Sequence, residues 1–207
     1  MEYSLFDGQG RRKYLVPAER AAFLRAAISV GGPTATLCSV LTLTGARVSE
    51  TLALTPKDLD EPNGTINIET LKQRRKRLTR AVPVPQQLFN QLERVHGWQA
   101  SKSDSREARK QLWTFGRSTA WRRVKSIGEL AGIPEHLCTP KALRHAFAVD
   151  ARIKGVPIEL IQSCLGHTRI QTTFIYTTVV GPEQREFVGR TWRDIADLLR
   201  CSASKQM

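Results

Sequence analysis

Four short segments of this chain carry side chains suited to handling a phosphate. In "TGARVSE", Arg47 follows Gly45 by two residues and Glu50 lies three further on. That spacing puts both on one side of a helical turn, where the carboxylate can orient the guanidinium fork toward an anion. In "LKQRRKRLTR", residues 72–80 hold six basic side chains and no acid. A run so charged repels itself and suits the groove of a polyanion, with one lysine near the chemistry. In "TPKALRH", Lys141 and Arg144 share a face at the start of a helix. A cation in a first turn opposes the helix dipole by roughly 0.3–1 kcal/mol, which a bound phosphate would offset. His145 lies beside that face and reads as support. In "LGHTRIQTTFIYTT", Gly166 ends a helix, His167 emerges from the turn, and Tyr176 follows nine residues later.

Each segment alone has a plainer reading: a surface ion pair, a solvated turn, a helix start, a packed tyrosine. Together they make a phosphoryl-transfer set. A phenol with pKa near 10 is a poor nucleophile at neutral pH. Neighbouring cations lower that pKa and neutralise the phosphate under attack. Fixed cations then do what Mg²⁺ does elsewhere, and no Asp/Glu cluster suited to paired metals stands out. The four cysteines form no CxxC pair and the four histidines show no ligand spacing with them. The expectation is no metal and no cofactor.

The elements that must position these residues read as mainly helical with a small antiparallel sheet, an α+β fold. Pro17 opens a helix carrying Phe23, Leu24 and Ile28. A buried helix runs from Pro33 to a break near Gly45, and a short helix carries Arg47 and Glu50. "TINIET" and "LTRAVPVP" read as paired strands over residues 65–84, with the basic run at their tip. Pro85 opens a helix toward His96, and "GWQASKSDSREARKQ" reads as a loop or solvated helical linker. In "STAWRRVKSIGELAGI", Trp121, Val124, Ile127 and Leu130 are expected on one buried face. Thr139 caps a helix that ends at Gly155, and "VPIELIQSCLG" forms another that stops at Gly166. Thr168 is expected to cap the segment leading to Tyr176.

With 207 residues, the chain is long enough for one sizeable core. Thirty-two Lys and Arg against nineteen Asp and Glu give a net charge of +13, which points to a polyanionic partner. No apolar run reaches the roughly 18 residues of a membrane span, and the first twenty residues hold no secretory apolar region. A cytoplasmic protein with reduced cysteines follows as the expectation.

The motifs "LTGARVSE", "LKQRRKRLTRAVPVP", "KALRHAF" and "LGHTRIQTTFIY" resemble those of the tyrosine recombinase, or phage integrase, family over roughly residues 15–180. The resemblance implies a site-specific recombinase that cuts and rejoins DNA through a 3′-phosphotyrosyl link, for integration, excision or inversion. It implies Tyr176 as nucleophile, Arg47 and Arg144 on the nonbridging oxygens, and Lys72, with Lys76 as second choice, protonating the leaving 5′ oxygen. His167 would hydrogen-bond the phosphate and Glu50 would support Arg47. Lys141 stands where the family usually has histidine; a lysine there can donate to phosphate. Arg74, Arg75, Lys76, Arg77, Arg80, Arg122 and Arg123 are assigned to DNA binding. The partners implied are double-stranded DNA, further copies of the chain in a tetramer on two DNA sites, and accessory DNA-bending proteins. Residues 1–14 are expected to be a flexible leader and 15–181 the catalytic domain. In residues 182–207, Trp192, Ile195, Leu198 and Leu199 share an apolar face that suits docking on a neighbouring subunit or packing in cis on the chain's own core. The rival readings are a DNA-binding regulator that has lost activity and a type IB topoisomerase-like enzyme.

Overall fold

A computed structural model describes residues 4–70, 78–167 and 170–177. Helices α1 (Pro17–Val30), α2 (Gly32–Thr44) and α3 (Val48–Leu52) come first. A three-stranded antiparallel sheet follows, β1 (Leu59–Asp60), β2 (Thr65–Glu69) and β3 (Thr79–Pro83), in that spatial order. The chain continues through α4 (Gln86–His96), α5 (Trp98–Ser103), α6 (Arg117–Leu130), α7 (Pro140–Ile153), α8 (Ile158–Leu165) and α9 (Gln171–Phe174). The mainly helical fold with a small sheet is the one expected from the sequence. β1 was not anticipated, because two residues cannot display an alternating pattern.

The central post is α2. Residues from Ala35 to Leu41 are buried all round it, and α1, α4, α6 and α7 pack against it. The buried Thr44 hydroxyl is satisfied within the post: its Oγ1 donates to the Val40 carbonyl at 2.6 Å. Gly45 ends the helix at φ 63°, a left-handed conformation. A Cβ there would also lie 2.9 Å from Phe147 Cγ and 3.0 Å from Leu165 Cδ2, so glycine is required on two counts.

The described part of the expected leader is folded. Lys13 N donates to the Leu5 carbonyl at 2.8 Å, Phe6 pairs with Arg12, and Leu5 is buried with Tyr14 and Leu15. A mostly polar run conceals one apolar anchor. Residues 182–207 lie outside the described residues.

The expected buried face of α6 needs correction. Val124 and Ile127 are buried, but Trp121 and Leu130 are exposed. At 3.6 residues per turn, each step of three falls about 60° short of a full turn, so three steps carry the outer residues to opposite sides. The buried set is Ala120, Val124, Ile127 and Gly128, the i, i+4, i+7, i+8 pattern of a packed helix.

Gly128 lets α6 approach the segment before α7: a Cβ would sit 2.8 Å from Cys138 Cβ and 3.2 Å from its Cα. Ala is the better helix former, yet Gly128→Ala should destabilise the protein by about 1–3 kcal/mol through overpacking. Denaturant unfolding checks this; a neutral or stabilising effect would contradict the close approach.

Candidate active site

The site forms where α2 ends, α7 begins and the turn after α8 returns. Arg47 stands at the start of α3. Its backbone N–H donates to Glu50 Oε2 at 3.1 Å and its Nη1 to Glu50 Oε1 at 2.7 Å. Glu50 is buried while the Arg47 side chain keeps 33% of its surface exposed. One carboxylate thus fixes both backbone and fork of an arginine that still reaches solvent.

Arg144 lies one turn into α7, whose start is fixed by Thr139: its hydroxyl accepts from Ala142 N at 3.1 Å. Arg144 is buried. Its Nη1 donates to the Gly45 carbonyl and its Nη2 to the Leu165 carbonyl, both at 2.7 Å. It therefore ties the end of α2 to the end of α8. Burial, with Arg47 adding repulsion, draws its pKa down to about 10, which leaves it protonated at neutral pH. Lys141 is exposed on the first turn of the same helix.

Gly166 closes α8 at φ 64°, and His167 follows. The His167 backbone is held on both sides: its N–H donates to the Gln162 carbonyl at 3.2 Å, and its carbonyl accepts from Gln162 Nε2 at 3.0 Å. Its Nδ1 pairs with Thr173 Oγ1 at 2.9 Å. Burial, then Arg144 and Arg47, push the imidazole pKa down to about 3, so the ring is neutral.

Tyr176 follows the single turn of α9, with its N–H donating to the Thr173 carbonyl at 3.0 Å. The side chain is 1% exposed, and its phenol oxygen lies 2.9 Å from His145 Nδ1. Arg144 and Arg47 both favour the phenolate, as the sequence suggests, but burial outweighs them and pushes the phenol up to about 12. His145 is itself held neutral, at about 4, by burial and then by Lys141 and Arg144. A neutral imidazole and a protonated phenol share one hydrogen bond. This contact could not be read from sequence, since no local spacing rule links positions 145 and 176.

The structure therefore brings together Arg47, Glu50, Arg144, His167 and Tyr176, adds His145, and leaves Lys141 at the rim. Lys72, Arg74, Arg75, Lys76 and Arg77 lie outside the described residues. Arg80, assigned to DNA binding, is instead buried and spends its fork inside the protein: Nε donates to the Cys164 carbonyl at 2.7 Å, Nη1 to Thr70 Oγ1 at 2.9 Å, and Nη2 to Glu50 Oε2 at 2.6 Å. The strand alternation could have revealed it, because Arg80 shares the inward face of β3 with Val82. Arg123 is also held internally. It donates to Thr34 Oγ1 at 2.9 Å and stacks over Phe115 at 4.0 Å. Thr34 begins α2 whereas the site lies at its end, about 15 Å along the axis at 1.5 Å per residue. Arg122 is exposed on the same helix as Arg123.

The phage integrase family model matches residues 14–181. The tyrosine recombinase XerA of Pyrococcus furiosus is 33% identical over 152 residues, which cover 71% of this chain and 50% of that protein. XerD of Yersinia pestis is 31% identical over 156 residues, covering 72% and 51%. The chain thus spans about half the length of these curated relatives. Among solved structures, XerA recombinase superposes with a TM-score of 0.70 at 30% identity, over 86% of this chain and 64% of that one. The catalytic domain of bacteriophage HP1 integrase, at 21% identity, shares the fold with a TM-score of 0.59 over 87% and 96%. With the match running from the residues before α1 to those beyond Tyr176, this chain belongs to the phage integrase family of tyrosine recombinases.

Proposed function

We propose that this chain is the catalytic part of a site-specific DNA recombinase that breaks and rejoins strands through Tyr176. The observation that carries the reading is the convergence of Arg47, Arg144 and His167 on the surroundings of one phenol, with both arginines acting on it electrostatically. In the forward step the Tyr176 oxygen bonds to phosphorus as the bond to the 5′ oxygen breaks. The phenol loses its proton to water, and the leaving 5′ oxygen takes one from a lysine of the basic segment, the role implied for Lys72 with Lys76 as second choice. Arg47 and Arg144 stabilise the charge that builds on the nonbridging oxygens. The phosphodiester is conserved in the protein link, so a second 5′-hydroxyl can reverse the step on a new partner without ATP.

A phenol at 1% exposure cannot meet a phosphate, so Tyr176 has to leave His145 before it attacks. Double-stranded DNA is the partner that fits the charge, and the XerH site-specific recombinase, which has the same fold, has been solved bound to its difH substrate. Recombination needs two sites, hence a tetramer on DNA, with accessory proteins bending the DNA; residues 182–207 either supply subunit contacts or pack on their own core. A nucleoid-associated, cytoplasmic enzyme accords with this reading. No helix among the described residues is long and apolar enough to cross a membrane.

Trapping on fragmented genomic DNA should leave protein covalently attached at 3′ ends, and sequencing those ends gives the target site. Tyr176→Phe should retain DNA binding and form no adduct; an adduct in that variant would move the nucleophile elsewhere. Neutralising Arg74, Arg75 and Arg77 should flatten the salt dependence of binding by about one unit of slope per lost phosphate contact. A slope equal to that of the unmodified chain would remove that segment from the interface.

Acid stability tests whether His145 is buried as a neutral ring. His145 titrates at 6.5 when unfolded and at about 4 when folded, so below pH 6.5 the unfolded chain binds the extra proton and stability falls. Between pH 7 and 5, His145→Gln should lose about 1–2 kcal/mol less stability than the parent protein. Equal losses in denaturant unfolding would mean that His145 is not buried neutral.

A further inference from the structure

Arg80 sits at a junction that the chemistry of the site does not by itself explain. Its three donating nitrogens reach three different parts of the chain: the last turn of α8 at Cys164, the end of β2 at Thr70, and the start of α3 at Glu50. The guanidinium is planar, so these contacts hold the three segments in one fixed relation. Glu50 is divided between two arginines, one carboxylate oxygen accepting from Arg47 Nη1 and the other from Arg80 Nη2. A second observation points the same way. A Cβ on Gly166 would lie 2.8 Å from Arg80 Nη1 and 3.0 Å from both its Cζ and Thr70 Oγ1. The glycine that precedes His167 therefore does two things: it adopts a left-handed conformation and leaves room for the Arg80 fork beneath it.

We propose that Arg80 is a positioning residue for the phosphate site. It locks the Glu50 carboxylate that aims Arg47, and with the same fork it holds the turn from which His167 emerges. Its contact with Thr70 also fixes the strand end that leads into residues 71–77. Arg80 touches no substrate; it acts through Arg47, His167 and the entry to the basic segment. Lysine cannot replace it, because an ammonium has the charge but not the planar spread of donors.

This inference rests on the proposed DNA cleavage, and the test separates the two. The substrate is a nicked duplex carrying the site trapped from genomic DNA, and the readout is the single-turnover rate of covalent attachment at saturating DNA. Arg80→Gln should slow attachment by about 100-fold through misplacement of Arg47, with DNA affinity kept within about twofold. Arg80→Lys should not restore the parent rate. In the Arg80→Gln/Glu50→Gln double variant the losses should not multiply, since both act through one contact. A parent-like rate in Arg80→Gln, full rescue by Arg80→Lys, or multiplicative losses would overturn the proposal. If Arg80→Gln does not fold, Thr70→Val removes one of the three contacts and should still slow attachment severalfold; a parent-like rate there overturns it. A carboxylate titration by ¹³C NMR needs no activity. Arg80 is the foremost influence holding the Glu50 carboxyl low against burial, so Arg80→Gln should raise its midpoint by about one pH unit or more. If the parent forms no adduct, DNA cleavage fails while this titration still decides the positioning; an unmoved midpoint overturns it.

Discussion

Gathering positive charge in a partly dry pocket is the constraint on which the rest of this structure depends. Arg47, Arg80 and Arg144 are close enough to influence one another's surroundings, and two of the three are buried. Left to themselves they would repel, and burial would add a desolvation penalty to each. The fold answers with one buried carboxylate and a set of aimed carbonyls. Glu50 serves Arg47 and Arg80, while the carbonyls of Gly45, Leu165 and Cys164 serve Arg144 and Arg80. Those carbonyls come from helix ends, where such acceptors are left over. The stops of α2 and α8 are therefore part of the site as much as its side chains.

The two glycines at those stops are where packing and chemistry meet. Gly45 admits Phe147 and Leu165, and Gly166 admits Arg80. In both cases the left-handed turn exposes a carbonyl or a side chain at the point of use and leaves no room for a Cβ. The scaffold around them is built on α2, against which α1, α3, α4, α6 and α7 all pack.

Much of the site was legible because its residues lie in short segments with local logic. The i, i+3 spacing of Arg47 and Glu50, the Thr139 cap ahead of Arg144, and the Gly166 stop ahead of His167 all depend on neighbours within four residues. What escaped was long-range. Arg80 reads as one more cation in a basic run, yet its strand parity turns it inward against Glu50. Tyr176 reads as a phenol activated by cations, yet the depth at which it is packed reverses the net effect. In α6 the error was geometric, because a strict repeat of three drifts around a helix that repeats at 3.6. Charge and spacing are local quantities, whereas burial depends on which distant segments close over a residue.

The brevity of α9 has a consequence of its own. A single turn has little cooperative stability, so Tyr176 is held by the burial of its ring and by two side-chain hydrogen bonds, the phenol with His145 and Thr173 with His167. Each such hydrogen bond is worth about 1 kcal/mol, roughly a fivefold weight in population. The hold on the tyrosine is thus spread over residues 145, 167 and 173, so a single substitution at any of them weakens it by a small, countable factor.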